Sequence, residues 1–269
     1  MIRCPGEPEY LNTGSPDHLL GYKMTTNQLA ERYTAVLERI AAAARRAGRQ
    51  PEDITLVAVT KTWPVETVLA AYEVGMRQFG ENRPEELAEK HTAVEAALGP
   101  DSGIVWHQIG TLQSRKTGLT AVHADVFHAL DRLKIANRLV RELHENGRSL
   151  PTFLEVNISG EASKSGFDVS NWEEDATQQA KIRTVVRELV GRPGLPLVGL
   201  MTMAPWQVAE DEIRAVFRQT RRLAAWLKEI EPDLKLTELS MGMTDDFEIA
   251  IEEGATHVRV GRALFGSRT

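Results

Sequence analysis

A lysine at the end of an apolar strand is the residue whose position most suggests chemistry. The stretch 54–60, ITLVAVT, is mostly β-branched, which is typical of a strand buried on both faces of a parallel sheet. Lys61 follows it directly, and Pro64 suits the first turn of a helix. Partial desolvation at a strand end favours a neutral amine, which can attack an aldehyde and form a Schiff base. The position alone also fits a lysine whose ammonium simply reaches water.

Two glycine-containing turns follow the last two predicted strands. They are SMGMTDD after the seventh strand and VGRALFG after the eighth. In barrels of alternating strands and helices, these two loops often bind phosphate through backbone N–H groups. Gly242 and Gly261 would let the backbone approach an anion, and Ser240 could add a hydroxyl. The alternative is that the glycines only turn the chain, and Asp245 and Asp246 would repel a phosphate unless they point away.

Two further polar residues interrupt predicted strands. Arg259, in HVRVG, would reach solvent if it points outward. If it points inward, it is a buried cation that needs a partner such as a ring nitrogen or a phosphate. His107 is more simply a hydrogen-bonded core histidine than a general base. We expect no metal site, because no two histidines and a carboxylate stand at metal-ligand spacing, and there is no Walker-type loop or G-x-S-x-G turn.

The elements that must position these residues alternate regularly along the chain. Eight strand-like segments, each followed by a helix-like segment, begin near residues 54, 78, 103, 125, 152, 195, 237 and 257. The alternation predicts an α/β fold with a parallel sheet, and the count of eight predicts a single (β/α)8 TIM barrel. A doubly wound open sheet is the alternative. In a barrel the carboxyl ends of all strands share one face, which would bring together Lys61, Asn82, Ser240 and Arg259.

The segments before the first strand divide into two parts. Residues 1 to 24 carry Gly, Pro, Asn, Ser and Asp without periodicity, and we expect a flexible N-terminal extension. Residues 25 to 269 would form one domain. Thr25 and Gln28 make a capping-box pair that predicts an extra N-terminal helix. This helix has no strand of its own, and we expect it to cover one end of the barrel.

Composition narrows the class of protein. The chain has 269 residues, a usual length for such a barrel, and its net charge of -6 argues against a general nucleic-acid binder. Cys4 is the single cysteine and cannot form an internal disulfide. The N-terminus lacks an apolar core of signal-peptide length, and no window approaches the roughly 18 apolar residues that span a bilayer. We therefore expect a cytoplasmic protein without a membrane segment.

Seven segments, taken in order, resemble the pyridoxal phosphate homeostasis family, also called the YggS or proline synthetase co-transcribed family. They are VAVTKT, FGEN, WHQIGTLQSRK, VNIS with SKSGF, GLMTM, LSMGMTDD and VRVGRALFG, and they extend from about Leu56 to Gly266. The resemblance implies a single barrel like the N-terminal domain of alanine racemase, the type III fold of pyridoxal-phosphate proteins. It also implies that pyridoxal 5′-phosphate (PLP) is carried as a Schiff base on Lys61, in intracellular PLP homeostasis and delivery.

The same resemblance implies how the cofactor is held. The phosphate would lie around Ser240 and Gly242, with Gly261 and Arg262 donating from the last loop. Many members have a small hydroxyl residue where this chain has Arg262. The arginine therefore either adds a positive charge to the phosphate or points outward.

The ring of the cofactor would contact three other residues. Asn82 and Ile109 would line the ring or its edge, and Arg259 would face the pyridine nitrogen. An arginine cannot accept a proton, so it disfavours the protonated ring and weakens the ring as an electron sink. This implication argues against a vigorous transaminating enzyme.

Three functions remain open on the sequence. The first is a PLP carrier, a monomer or weak dimer, with PLP-free apoenzymes as recipients. The second is a PLP-dependent enzyme with weak amino-acid racemase activity, although a racemase needs acid–base groups on both faces of the α-carbon and Lys61 is the single candidate. The third is a Schiff-base aldolase without a cofactor. The sequence also leaves open whether Lys164, in the loop segment SKSGF, closes over the site.

Overall fold

Parallel strands that alternate with helices form the structure, which is a computed structural model describing residues 24–267. The prediction of a flexible extension therefore lies almost entirely outside the described residues. Eight of the strands begin within two residues of their predicted starts. The strands are β1 (Thr55–Val59), β2 (Gln78–Glu81), β3 (Val105–Gln108), β4 (Val126–Leu130), β5 (Thr152–Asn157), β6 (Phe167–Asp168), β7 (Leu197–Met201), β8 (Glu238–Ser240) and β9 (His257–Val260).

The strands close into a barrel. Each pairs in parallel with its neighbours in the order β1, β2, β3, β4, β5, β7, β8 and β9, and β9 returns to pair with β1. In that closing pair, Thr55 lies opposite His257 and Val57 lies opposite Arg259. The prediction of an eight-stranded (β/α)8 barrel is confirmed, and the open-sheet alternative is wrong. The two-residue strand β6 was not predicted, and it pairs with the end of β5 outside the ring.

Helices surround the barrel, one after almost every strand. Their inward faces are apolar at three-to-four spacing, as on α5, where Ile135, Leu139 and Leu143 are fully buried. The helices are α1 (Thr26–Arg46), α2 (Val65–Glu73), α3 (Pro84–Leu98), α4 (Thr117–His123), α5 (Leu133–Glu145), α6 (Ala176–Leu189), α7 (Glu210–Ile230), α8 (Phe247–Glu252) and α9 (Arg262–Phe265). None of the helices in the described range 24–267 is long and apolar enough to cross a bilayer.

The extra helix α1 starts as the sequence predicts. Thr25 Oγ1 accepts from the backbone N–H of Gln28, and the Gln28 side chain accepts from the N–H of Thr25, which completes the capping box. The helix ends with Ala47 as its cap, and Gly48 follows at a positive φ of 67°.

The expected position of α1 is wrong. It packs along the outside of the barrel against α8 and α9, in the ring of helices, and does not cover one end. It runs in the same direction as α8, because Arg39 pairs with Glu248 and Arg46 pairs with Glu252, both at 2.7 Å. The reason is the shortness of α9, which has four residues and leaves the last place in the ring to be filled.

Aromatic rings fill the interior of the barrel at its amino end. Phe153, His128 and His257 lie together there, with ring centroids 4.5 to 5.8 Å apart. Side chains two residues apart on a strand point to the same face. Glu155 on β5 and Arg259 on β9 therefore come one layer higher in the interior, towards the carboxyl ends of the strands. This layering leaves the upper part of the barrel for a cavity.

Candidate functional site

A cavity of about 480 Å³ opens at the carboxyl ends of the strands. That face is where (β/α)8 barrels build their sites. Of the eight site residues predicted from the sequence, six line this cavity: Lys61, Asn82, Ile109, Arg259, Gly261 and Arg262. Ser240 and Gly242 do not line it. The closed barrel thus brings most of the predicted set to one place from four different strand ends.

Lys61 stands in the first turn after β1. Val57, Ala58 and Val59 are consecutive and all buried, which confirms a strand covered on both faces. The turn is held to the next strand because the N–H of Thr60 donates to Gly80 at 3.1 Å. Lys61 itself is partly buried and lines the cavity. Lys61 therefore lines the cavity from a turn that is anchored to the sheet.

Arg259 points into the barrel. It is 5% exposed, lines the cavity floor, and burial lowers its pKa to about 10, so it remains a cation at neutral pH. Its guanidinium donates to Ser240 Oγ at 2.6 Å and to the carbonyl of Thr202 at 3.0 Å. The inward alternative considered from the sequence is confirmed, and these two oxygens are the partners that a buried cation requires.

A chain of buried hydrogen bonds extends below Arg259. Ser240 Oγ lies 2.7 Å from His128 Nδ1, and His128 Nε2 lies 2.9 Å from His107 Nδ1. His107 Nε2 ends the chain 2.8 Å from Gln78 Oε1. The interpretation of His107 as a satisfied core histidine is confirmed, since both of its ring nitrogens are bonded.

The direction of every link in this chain follows from its two ends. The Arg259 guanidinium can only donate and Gln78 Oε1 can only accept, so the Ser240 hydroxyl accepts from Arg259 and donates to His128 Nδ1. His128 then donates from Nε2 to His107, and His107 donates to the Gln78 carbonyl. Each histidine is a neutral ring with one proton. Burial lowers the pKa of His107 to about 3 and the pKa of His128 well below its ordinary value, in agreement with this assignment.

The loops after β8 and β9 form one side of the cavity. Gly261 lies close to β1, since a Cβ there would be 3.2 Å from the Val59 carbonyl oxygen. Arg262 lines the cavity and forms an ion pair with Asp245 on the neighbouring loop. Both side chains are about half exposed. The Arg262 side chain is thus turned towards the rim of the cavity.

The predicted phosphate residues Ser240 and Gly242 lie behind this wall. Gly242 has a φ of +95°, and a Cβ there would be 2.6 Å from the Cβ of Ala250, so the turn needs glycine for both conformation and space. Asp246 is outside the cavity lining, and its carboxylate accepts from the N–H of Met243 at 2.5 Å, which closes the turn before α8. A phosphate contact by Ser240 or Gly242 stays a prediction.

Close backbone packing shapes the opposite side of the cavity. A Cβ at Gly110 would overlap the carbonyl oxygen of Asn82, so the loops after β2 and β3 touch through backbone alone. Gln108 fixes both loops, because its side-chain amide donates to Asn82 at 2.9 Å and to Gly110 at 3.2 Å. Ile109 lies between these loops and presents an apolar surface to the cavity.

Glu155 is a cavity residue that the sequence reasoning missed. It lies in the middle of β5, is 2% exposed, and its Oε2 has no hydrogen-bond partner within residues 24–267. Burial and the neighbouring carboxyl of Asp131 raise the pKa of Glu155 to about 7. The available signal was a carboxylate inside an otherwise apolar strand, the same signal that drew attention to Arg259.

Apolar side chains form the mouth of the cavity. Trp206, in the loop after β7, is 75% exposed and borders the cavity together with Met203 and Met243. Lys164 is outside the cavity lining. Its Nζ pairs with Glu161 at 2.7 Å and donates to Ser159 at 3.1 Å. Among the residues that the structure describes, no cluster of three or more His, Cys, Asp or Glu side chains could hold a metal ion.

Comparison with known sequences places this barrel in a class. Residues 33–269 match the family described as alanine racemase, N-terminal domain. The Escherichia coli K12 protein named pyridoxal phosphate homeostasis protein is 41% identical over 246 residues, 90% of this chain and 97% of the relative. The protein of the same name from Pseudomonas aeruginosa is 42% identical over 240 residues, 89% of this chain and 96% of the relative. The chain belongs to the pyridoxal phosphate homeostasis protein family, as its sequence segments indicate.

Solved structures agree with this assignment. PipY of Synechococcus elongatus, determined with PLP bound, superposes with a TM-score of 0.75 at 36% identity, covering 89% of this chain and 100% of PipY. Alanine racemase from Streptomyces lavendulae has a TM-score of 0.64 at 15% identity, and the match covers 89% of this chain but 58% of the racemase. The racemase shares the fold, and the match leaves a large part of it without a counterpart here.

Proposed function

We propose that this protein binds PLP in the barrel cavity, through a Schiff base on Lys61, and serves to store and deliver the cofactor. The observation that carries the proposal is the pairing of a lysine amine and a buried arginine in one cavity of a barrel from this family. When bound, PLP supplies an aldehyde that condenses with a primary amine and a ring that withdraws electrons. We propose PLP-free apoenzymes as the recipients and the cytoplasm as the location.

The residues of the cavity fit such a group. Lys61 offers the amine, and Arg259 offers an N–H donor held in a fixed plane by Ser240 and Thr202. A ring nitrogen facing this guanidinium would accept a hydrogen bond and remain unprotonated. Ile109 and Asn82 supply the surface on which a flat ring would rest, with no side chain at Gly110 to obstruct it.

The phosphate would be held on the side of the cavity formed by the last two loops. Gly261 gives close access to backbone, and Arg262 supplies a cation. We include Gly242 and Ser240 in this proposal as residues that shape the loop from behind. Asp245 pairs with Arg262, which offsets the repulsion that its carboxylate would otherwise exert on a phosphate.

The site favours holding the cofactor over driving a reaction with it. Arg259 cannot give a proton up readily and cannot accept one, and the neutral histidines beneath it have no free nitrogen to relay one. A racemase role is not favoured, because the alanine racemases from Streptomyces lavendulae and Clostridium difficile, at 15% and 14% identity, share the fold alone. Lys61 would act as a tether for the cofactor.

The test is spectroscopic and chemical. The purified protein is mixed with PLP, its visible absorption is recorded, and borohydride is added to fix any Schiff base before peptide mass mapping. We expect a visible band that borohydride removes and a label on Lys61. Lys61→Ala should lose both the band and the label. A Lys61→Ala protein that keeps the band, with the label on another lysine, would refute the assignment of the tether.

A further inference from the structure

Lys90 is a buried cation that the cavity itself does not use. It lies on α3, is 3% exposed, and is absent from the cavity lining described above. Its Nζ donates three hydrogen bonds, each of 2.7 Å, to the backbone carbonyl of Thr60, to Glu81 Oε1 and to Glu86 Oε1. Three acceptors match the three protons of an ammonium group, so the charge is fully satisfied.

The two carboxylates that hold Lys90 also hold the neighbours of Lys61. Thr60 Oγ1 donates to Glu81 Oε1 at 2.6 Å. The backbone N–H of Thr62 donates to Glu86 Oε1. The residue before Lys61 is therefore bound through both its hydroxyl and its carbonyl, and the residue after it is bound through its N–H.

The turn that is held in this way is strained. Thr62 has a φ of +66°, in the left-handed region that a β-branched residue rarely adopts. Such a conformation persists only where the surrounding structure over-determines it, and it is concentrated at functional sites. The Thr62 N–H donates to the Glu86 carboxylate, and this charge-assisted bond stabilises the turn.

Stability alone does not account for this arrangement. Burying an ammonium with two carboxylates carries a desolvation cost, and apolar side chains of similar volume often stabilise a protein as well or better. The three charged residues instead converge on both sides of one residue, Lys61. We propose that Lys90, Glu81 and Glu86 form a clamp of positioning residues that fixes the Thr60–Thr62 turn and so aims Lys61 at the cavity.

The clamp deepens the proposed function, on which it rests. Covalent capture of an aldehyde needs the Lys61 nitrogen at a defined distance and angle from the carbonyl carbon, and a fixed geometry raises the effective concentration of the amine. The proposed contacts of Arg259, Ile109 and the last two loops come from other strands, and Asn82, which follows Glu81, is the one proposed ring contact beside the clamp. Loss of the clamp should therefore weaken covalent capture and leave non-covalent binding in place.

Two ligands separate these effects. PLP carries the aldehyde, whereas pyridoxine 5′-phosphate carries a hydroxymethyl group in its place and binds without a covalent bond. In Lys90→Met, we expect the dissociation constant for PLP to rise about tenfold or more and that for pyridoxine 5′-phosphate to change less than about twofold. Hydrogen exchange of residues 60–63 in ligand-free protein should be faster than in the unaltered protein.

A matched control and a second variant complete the design. Lys116 forms an ion pair with Glu85, which lies on α3 like Lys90 but is not part of the clamp. Lys116→Met should therefore change none of the three measurements. Where Lys90→Met fails to fold, Glu86→Ala serves instead. The Glu86 side chain is 18% exposed, and its removal leaves the Thr62 N–H without this acceptor. It should shift PLP binding and exchange in the same direction.

The outcomes are distinct. Unchanged PLP affinity in both clamp variants overturns the proposal. An equal loss of affinity for PLP and for pyridoxine 5′-phosphate also overturns it, because that result would show a collapsed cavity. If the unaltered protein gives no borohydride label on Lys61, the proposed function fails. The exchange measurement then still decides whether the clamp orders the turn.

Discussion

The guanidinium of Arg259 donates a 2.6 Å hydrogen bond to the hydroxyl of Ser240, beneath the floor of the cavity. Ser240 passes the orientation on to His128, at 2.7 Å. Arg259 can only donate, and Gln78 Oε1 at the far end of the chain can only accept, so the two ends together set the tautomers of His128 and His107. The buried polar chain consequently works as a rigid support for one cation, and four measurements probe it and its surroundings.

The first prediction concerns the hydroxyl of Ser240. In Ser240→Ala, a guanidinium N–H and His128 Nδ1 lose their shared partner in a fully buried position. We expect the free energy of unfolding to fall by about 1–3 kcal/mol, measured by urea denaturation. Ser170→Ala removes a hydroxyl that donates to Asp168 near the surface, and it should change the free energy of unfolding by less than about 0.5 kcal/mol. Equal effects of the two substitutions would contradict the buried chain.

The second prediction compares two glycines. Gly110→Ala places a Cβ against the Asn82 carbonyl, so we expect about 1–3 kcal/mol of destabilisation and weaker PLP retention. Gly118 lies in α4, and a Cβ there meets only the far end of the Glu142 side chain, at 3.6 Å. Gly118→Ala should therefore stabilise the protein by about 0.5–1 kcal/mol. Thermal and urea unfolding of both variants decide the sign, and a stabilising Gly110→Ala would refute the close approach.

The third prediction is a pH dependence caused by Glu155. Its pKa is raised from 4.5 to about 7, so the folded protein holds the proton more tightly than the unfolded chain does. The contribution of Glu155 is fully present below pH 4.5 and is lost as the pH rises towards about 7. The free energy of unfolding should accordingly fall across this window and level off above it.

The substitution Glu155→Gln tests that assignment, because glutamine is uncharged at every pH. Unfolding free energies measured from pH 5 to pH 8 should decline less steeply in the variant. Some decline should remain, since burial also raises the pKa of Glu81, although the charge of Lys90 acts in the opposite direction. Identical pH profiles for the two proteins would show that Glu155 is not the titrating group.

The fourth prediction concerns charge at the rim. Asp245 pairs with Arg262, and both are about half exposed, so the pair is screened by solvent. Asp245→Asn removes an anion beside the proposed phosphate position, and we expect PLP binding to tighten by about two- to fivefold. The gain should shrink at high salt. The control is Arg222→Ala. Arg222 lies on α7 and pairs with Glu173, and its removal should leave PLP binding unchanged.

Sequence reasoning reached Lys61 and Arg259 because each breaks a local pattern, a cation at the end of or inside an apolar strand. It predicted the barrel because the alternation of strands and helices is visible in the hydrophobic pattern of the sequence. It could not reach the Lys90 clamp, since Glu81, Glu86 and Lys90 look like an ordinary charged helix start until β2 and α3 are packed against β1. The position of α1 was wrong for a related reason. Helix α1 occupies the place beside α8 that the four-residue helix α9 is too short to fill, and this depends on the folded barrel.

The closing pair of the barrel joins the first strand to the last. Val57 lies opposite Arg259, so Lys61, just after β1, and Arg259, within β9, come from strands about two hundred residues apart along the chain. Contacts this distant in sequence form late, and synthesis delivers the N-terminal part first. A nascent chain that still lacks β9 has the amine but neither the guanidinium nor the last loop. We therefore expect a chain that is truncated before β9 to bind PLP poorly, because it would lack two of the groups that we propose to hold the cofactor.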